Sequence, residues 1–198
     1  MFFDALETLF GTSNIWWFIV PIIIYLVIKY NSLVTVKHNV TKALSNIDVL
    51  LRQRHDEIPK LVATCKQYMQ HEQVTLEKVI QARNQVATAS QAGDMVALGK
   101  AEGLLRSGLG QIFALSEAYP DLKADQQFGH LQSRISGLEN SIADRREFYN
   151  ESVTINNARI EQFPDVIIAK TLNFQAFKIL DFDAGEISDV NVKELFAS

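Results

Sequence analysis

A chain of 198 residues has room for one domain, or two at most. Its 9 glycines and 4 prolines are few for that length, which argues against a turn-rich all-β fold, while the dominance of Ala, Leu, Ile, Gln, Glu, Asn and Val suits helices. A net charge of −4 argues against a general nucleic-acid binder, which needs a concentrated Lys/Arg surface, and the single cysteine, Cys65, excludes an intrachain disulfide.

The opening MFFDALETLFG places Phe2, Phe3, Leu6, Leu9 and Phe10 on one helical face and Asp4, Glu7 and Thr8 on the other. Such a segment either lies flat in a membrane interface, ahead of a cap at Ser13 or Asn14, or is a loose apolar lead-in. From Thr8 to Ile28 there is no charge, and the densest part is IWWFIVPIIIYLVI. Crossing ~30 Å of hydrocarbon takes roughly 20 helical residues. The run reaches that length if Lys29 sends its ammonium to the interface. Trp16 and Trp17 suit the opposite interface, and a membrane helix tolerates Pro21, with a kink. A cleaved signal starts with positive charge; this chain starts with Asp4 and Glu7, and no A-x-A-like site follows. The expectation is a short extracytoplasmic segment over 1–14 and an uncleaved transmembrane helix over 15–36. Lys29, Lys37, Lys42 and Arg52 follow the span and no cation precedes it, which places the N-terminus outside and the larger part in the cytoplasm.

After Asn31 the apolar residues recur at helical spacing. A first stripe runs through Leu44, Ile47, Leu51, Ile58, Val62, Cys65, Met69, Leu76, Val79 and Val86, predicting one long helix that ends near Gly93, with Asp94 capping the next. Leu98, Leu105, Leu109, Ile112 and Tyr119 form the second stripe, closed by Pro120, after which Asp121 can cap a third helix. That helix carries Leu131, Ile135, Leu138, Ile142, Tyr149, Val153, Ile160 and Phe163 up to Pro164; a short helix in DVIIAKTL and a partly extended tail packed by Phe174, Phe177 and Phe182 follow. Short turns between long helices predict an all-α fold: an elongated antiparallel helical bundle over 37–182 behind the transmembrane helix, with a C-terminal tail over 183–198.

The stretch RQRHDEIPKLV, Arg52 to Val62, concentrates charge and is followed by His71-Glu72. Arg54, Glu72, Arg83, Glu102, Arg146 and Asn157 fall on the apolar stripes. A buried charge is costly without a partner, so these residues set register between helices, form a partner-binding face, or build a reactive site, in that order of expectation. Metal chemistry ranks last. His71 and Glu72 point about 100° apart, His55 and Glu57 do not face each other on a helix, and Thr75 stands where H-E-x-x-H needs its second histidine. No catalytic residue, cofactor or metal is assigned. The rival reading is a metal-dependent hydrolase using His55, His71 and nearby carboxylates; a third is a purely structural membrane spacer. GLLRSGLG lacks a P-loop ending, so Gly103, Gly108 and Gly110 are read as permitting close helix packing, and Cys65 as a buried small hydrophobe. Asp48–Arg52 and Asp56–Lys60 have i,i+4 spacing, and Pro59 either kinks the helix or opens a new one.

An ordered series of short motifs carries a family resemblance: YNSLV at Tyr30 to Val34, IDVLL at Ile47 to Leu51, Arg54, Asp56, IPKLV at Ile58 to Val62, KQYMQHE at Lys66 to Glu72, Ala82-Arg83, AYPDLKA at Ala118 to Ala124, LENSI at Leu138 to Ile142, Arg146, Tyr149-Asn150, Asn157 and Phe163-Pro164. Over Tyr30 to Phe182 the chain resembles the LemA family of bacterial proteins. It departs from the family pattern at Gln53 (usually Arg), Glu57 (usually Leu) and Lys60 (usually Asn). The resemblance implies a helical bundle behind a single-pass anchor in the bacterial inner membrane, and the family has no established enzymatic activity. It makes a scaffold or adaptor the expected role, with the lipid bilayer and membrane proteins as partners. Family members are encoded near membrane metalloproteases, so a membrane protease is a candidate partner, as is a second copy of the chain. The residues offered for partner binding or register are Arg54, Asp56, Pro59, His71, Glu72, Arg83, Arg146, Tyr149, Asn150 and Asn157; for the anchor, Trp16, Trp17, Pro21 and Lys29.

Overall fold

The computed structural model describes residues 16–181. All regular structure among them is helical: α1 Trp16–Tyr68, α2 Gln73–Ala92, α3 Met95–Ser116, α4 Pro120–Ala124, α5 Gln126–Glu161 and α6 Asp165–Thr171. The all-α expectation therefore holds. The segment over 1–14, its cap, Phe182 and the tail over 183–198 lie outside the described residues. The described residues divide into two compact units, 42–151 with 178–181, and 16–41 with 152–177.

In the larger unit the long helices alternate in direction. Asp48 meets Ser90 and His55 meets Arg83, which sets α2 antiparallel to α1. Tyr68 meets Asp125 and Glu57 meets Arg134, which does the same for α5. Ile47, Ile58, Leu61, Cys65, Val79, Leu98, Leu109, Ile112 and Ile135 are fully buried between them. Removal of this apolar surface from water is the main drive for bundle formation.

Two corrections concern the punctuation of these helices. The predicted first helix does not run on to Gly93: it ends at Tyr68, and the chain turns through Met69–Glu72 before α2. Met69 and Leu76 flank the turn, both buried and seven residues apart, so the apolar spacing stays helical across a break that neither glycine nor proline marks. The cap of the third long helix is Asp125, not Asp121. Its Oδ1 accepts from the Phe128 N–H at 2.9 Å, and Pro120–Ala124 forms a separate short turn of helix with Pro120 at its start. The Gly93–Asp94 turn is as expected. Gly93 closes α2 at φ 66°, and Asp94 Oδ1 accepts from the Val96 and Ala97 N–H groups at 3.1 Å each.

Of the three glycines in GLLRSGLG, one is required by packing. A Cβ on Gly108 would stand 2.8 Å from Val79 Cγ2, whereas Gly103 and Gly110 face open space.

In the other unit, every residue of α1 from Trp16 to Ile28 is exposed, and burial begins at Leu33 and Val40. Among the described residues, α1 is long and apolar enough to cross a membrane, by length and composition. Arg159 donates to Ser32 Oγ at 2.8 Å and Lys29 meets Asp165 at 3.0 Å, so the chain from the end of α5 to the start of α6 runs antiparallel to this part of α1. The predicted short helix is α6, with Asp165 and Ala169 buried. Phe163, placed on the core stripe by spacing, is 81% exposed: α5 ends at Glu161 and the chain leaves the helical path before Phe163 is reached.

Candidate functional site

One turn of α1, Arg54 to Glu57, reaches α2, α3 and α5. Arg54 lies in the core with its side chain 3% exposed. One guanidinium nitrogen donates to Glu102 Oε1 on α3, and Nη1 stands 3.8 Å from Glu139 Oε1 on α5. A planar guanidinium can hold two carboxylates on different helices in a fixed geometry, which the flexible stem of a lysine fixes less well. One turn on, Glu57 is also buried. Its Oε1 lies 3.1 Å from Arg134 Nε on α5, and its Oε2 accepts from Lys60 Nζ at 3.1 Å. Lys60 thus pairs at i,i+3 with Glu57, not at i,i+4 with Asp56, and Asp48 accepts from Ser90 Oγ at 3.0 Å.

Pro59 is half-buried inside α1, which continues through it. Proline has no N–H, so the carbonyl of His55, four residues back, loses its helical donor. Arg83 of α2 supplies the replacement: its Nε–H donates to His55 O at 2.8 Å. The helix is kept whole by a side chain from its neighbour. The His55 imidazole is half-buried, and its Nδ1 is buried without a hydrogen-bond partner. Desolvation and then the Arg83 charge hold its pKa below 6.5, against a smaller upward pull from Asp56.

Tyr149, Asn150 and Asn157 hold the chain's own backbone. In the larger unit, the buried Tyr149 hydroxyl donates to Lys178 O at 2.8 Å. Asn150 makes a two-point clasp on Leu180: Nδ2 donates to its carbonyl at 2.9 Å, and Oδ1 accepts from its N–H at 2.8 Å. In the other unit Asn157 clasps Phe177 the same way, at 2.9 and 3.0 Å. A carboxamide thereby replaces the strand partner that this non-helical segment lacks. The seven-residue spacing of the two asparagines put them on one helical face; nothing local named their target.

The remaining predicted residues are dispersed. Asp56 and His71 are exposed, Glu72 is half-buried in the turn before α2, and Arg146 is half-buried on α5. His55 and His71 are separated by most of four helical turns and the bend at Met69, roughly 20 Å of rise, and do not share a site. Among the described residues, no three His, Cys, Asp or Glu side chains converge to hold a metal. Cys65 is fully buried, and burial pushes its thiol pKa up to about 11. Of the anchor residues, Trp16, Trp17 and Pro21 are exposed. Lys29, expected at a membrane interface, meets the carboxylate of Asp165, which Arg159 Nε approaches at 2.9 Å from the other side.

Sequence reasoning missed Glu57, Glu139, Arg134, Arg159 and Asp165. Glu57 stood out as one charge of the RQRHDEIPKLV stretch and as a departure from the family pattern, and neither signal gave its partners. The Tyr68–Asp125 pair was also missed: the hydroxyl donates to Oδ2 at 3.0 Å. Hydrogen bonds from the Phe128 N–H and Tyr68 hold Asp125 below the usual carboxylate range, while the carboxylate raises the Tyr68 pKa.

Comparison with known proteins adds the family and its relatives. The LemA family model matches residues 43–193. Magnetosome protein MamQ 2 of Paramagnetospirillum magneticum is 23% identical, over 74% of this chain and 62% of its own length. Magnetosome protein MamQ of Magnetospirillum gryphiswaldense is 22% identical, over 79% and 66%. Protein LemA of Metamycoplasma hominis is 26% identical, over 83% and 73%. The chain spans less than two thirds of the length of the magnetosome relatives.

Proposed function

Since the chain belongs to the LemA family, we propose that it is a membrane-anchored, non-enzymatic scaffold or adaptor that binds protein partners at the cytoplasmic face of the bacterial inner membrane. The observation that carries this reading is the start of α1: thirteen consecutive exposed residues, Trp16 to Ile28, all uncharged and nearly all apolar, on a helix whose later part lies in a bundle. Water disfavours such a surface and a bilayer accepts it. Arg54 and Glu57 support a non-catalytic role, because each is buried and held in ion pairs with charged side chains of other helices. None of the relatives' names states a reaction. Leu33 is buried, so we read the part of α1 open to lipid as ending near Lys29, short of the expected bound at 36.

In-cell photo-cross-linking tests the partner claim, with probes at Asp56, Val74 and Leu104, all exposed on the larger unit. Capture of a defined membrane protein, a membrane protease among the candidates, is the expected result; capture of a second copy would identify a homo-oligomer instead. No cross-linked protein from any of the three positions, in cells where the chain fractionates with the membrane, sinks the adaptor reading. Elemental analysis tests the rest. Stoichiometric zinc or iron that is lost on His71→Ala would restore the metal-dependent hydrolase.

A further inference from the structure

We propose that the corner between α5 and α6 is a second membrane contact, in which Phe163 and Ile167 enter the lipid interface beside the start of α1. This rests on the reading of α1 as a membrane anchor. The corner belongs to the same compact unit as the exposed apolar run. Two contacts fix its level along α1. Arg159 donates to Ser32, and six residues later Asp165 meets Lys29, so the chain descends towards the apolar run as it leaves α5. It then turns back. Phe174 stacks edge-on against Tyr30 at 6.3 Å, and Lys37 Nζ lies 5.8 Å from the centre of the same ring. Asp165, between the two ends of this excursion, is therefore level with the point where the uncharged run ends, and Phe163 and Ile167 lie two residues to either side of it.

The side chains at that point suit lipid. Phe163 is 81% exposed and Ile167 is 58% exposed, a surplus of apolar surface on a corner whose Asp165 and Ala169 are buried. Lys170 is exposed three residues after Ile167, on the same helical face. An aromatic and an aliphatic side chain with a nearby ammonium are the composition of an interfacial contact: the apolar groups enter the acyl boundary and the cation meets the phosphates. The Lys29–Asp165–Arg159 cluster acts as the hinge pin. Its single carboxylate offsets one of the two cations that stand at the membrane edge, and it ties the corner to α1.

The experiment uses the full chain with Cys65→Ala and single cysteines at Val27, Phe163, Ile167 or Asn39, each labelled with the environment-sensitive fluorophore NBD. The proteins are reconstituted into phosphatidylcholine–phosphatidylglycerol vesicles containing lipids brominated either near the headgroup or deep in the acyl chain. Expected are loss of emission at 27 with deep bromines, blue-shifted emission and loss at 163 and 167 with shallow bromines, and no loss at 39. Loss at 27 with 163 and 167 behaving like 39 overturns the corner contact and leaves the anchor standing. No loss at 27 removes the anchor and the proposal with it. A blue shift at 163 without bromolipid quenching also overturns it, because protein rather than lipid then covers the corner. Phe163 is exposed enough for the cysteine to leave the fold intact, and Ile167 gives an independent second position.

Discussion

The Nε–H of Arg83 donates to the carbonyl oxygen of His55, the acceptor that Pro59 leaves without a helical partner. A proline inside a helix usually marks a break or a solvated kink. Here the vacated acceptor is turned into an inter-helix joint between α1 and α2. Removing Arg83 should therefore orphan a carbonyl, at a cost of roughly 1–3 kcal/mol. The cost should depend on Pro59. In a Pro59→Ala background the backbone N–H at 59 returns and the helix satisfies His55 O itself. A double-mutant cycle by denaturant unfolding of the full chain in detergent should show Arg83→Met costing clearly less with Pro59→Ala than without it. Equal costs would mean that the bond contributes nothing.

Arg54→Met should be the most damaging single change in the bundle. It leaves Glu102 buried beside no cation, and breaking a buried ion pair from one side costs about 3–5 kcal/mol. The pair Arg54→Met/Glu102→Leu should recover much of that loss, whereas Arg54→Lys should recover less, because a compact ammonium does not reproduce the planar spread of nitrogens that reaches Glu102 and Glu139. Thermal unfolding followed by circular dichroism ranks the three.

At the α2–α3 contact, Gly108→Ala should destabilise by roughly 1–3 kcal/mol through overpacking against Val79. Val79→Ala removes the clashing methyl and should make Gly108→Ala tolerable. Gly103→Ala and Gly110→Ala, which meet open space in mid-helix, should be neutral or stabilising by up to about 1 kcal/mol. Midpoints of denaturant unfolding for the series separate the two classes.

The clasp on the C-terminal segment should be visible to a protease. Asn150→Leu removes both hydrogen bonds to Leu180, at roughly 0.5–1.5 kcal/mol each. Opening of the segment should then be about 5- to 100-fold more frequent, and trypsin cleavage after Lys178 should accelerate accordingly. An unchanged cleavage rate would show that the two Asn150 bonds do not hold the segment.

His55 predicts a pH dependence. Its pKa is lowered in the folded chain, so between the folded value and the ordinary 6.5 the unfolded chain binds more protons. The stability associated with the neutral imidazole is complete above 6.5 and is lost as pH falls through the folded value. Unfolding midpoints measured from pH 7.5 down to 5.5 should decline in the wild-type chain and decline less in His55→Gln. Parallel declines would place the titration elsewhere.

Much of this architecture was legible locally. The uncharged run before Lys29, the 3–4 spacing of the stripes and the Gly93-Asp94 turn each act within a few residues, and each reappears in the structure. The candidate site was legible only as a list of polar residues on apolar stripes. Arg54 was correctly suspected of burial. Its carboxylate on Glu102 lies 48 residues away, and nothing near either residue specifies the other. Asn157 was offered for partner binding or register, and nothing near it in sequence pointed to the Phe177 backbone that it clasps.

The sequence by itself determined which segments are helical, where an uncharged apolar surface begins, and that several charges would be buried, because periodicity, turn chemistry and hydropathy are local properties. The tertiary structure decided which charges pair, which glycine is indispensable, that the chain turns at Met69–Glu72, and that Arg83 replaces the donor missing at Pro59. Those outcomes depend on the register between helices distant in sequence. Register is set by the packing of whole faces, not by any residue read with its neighbours.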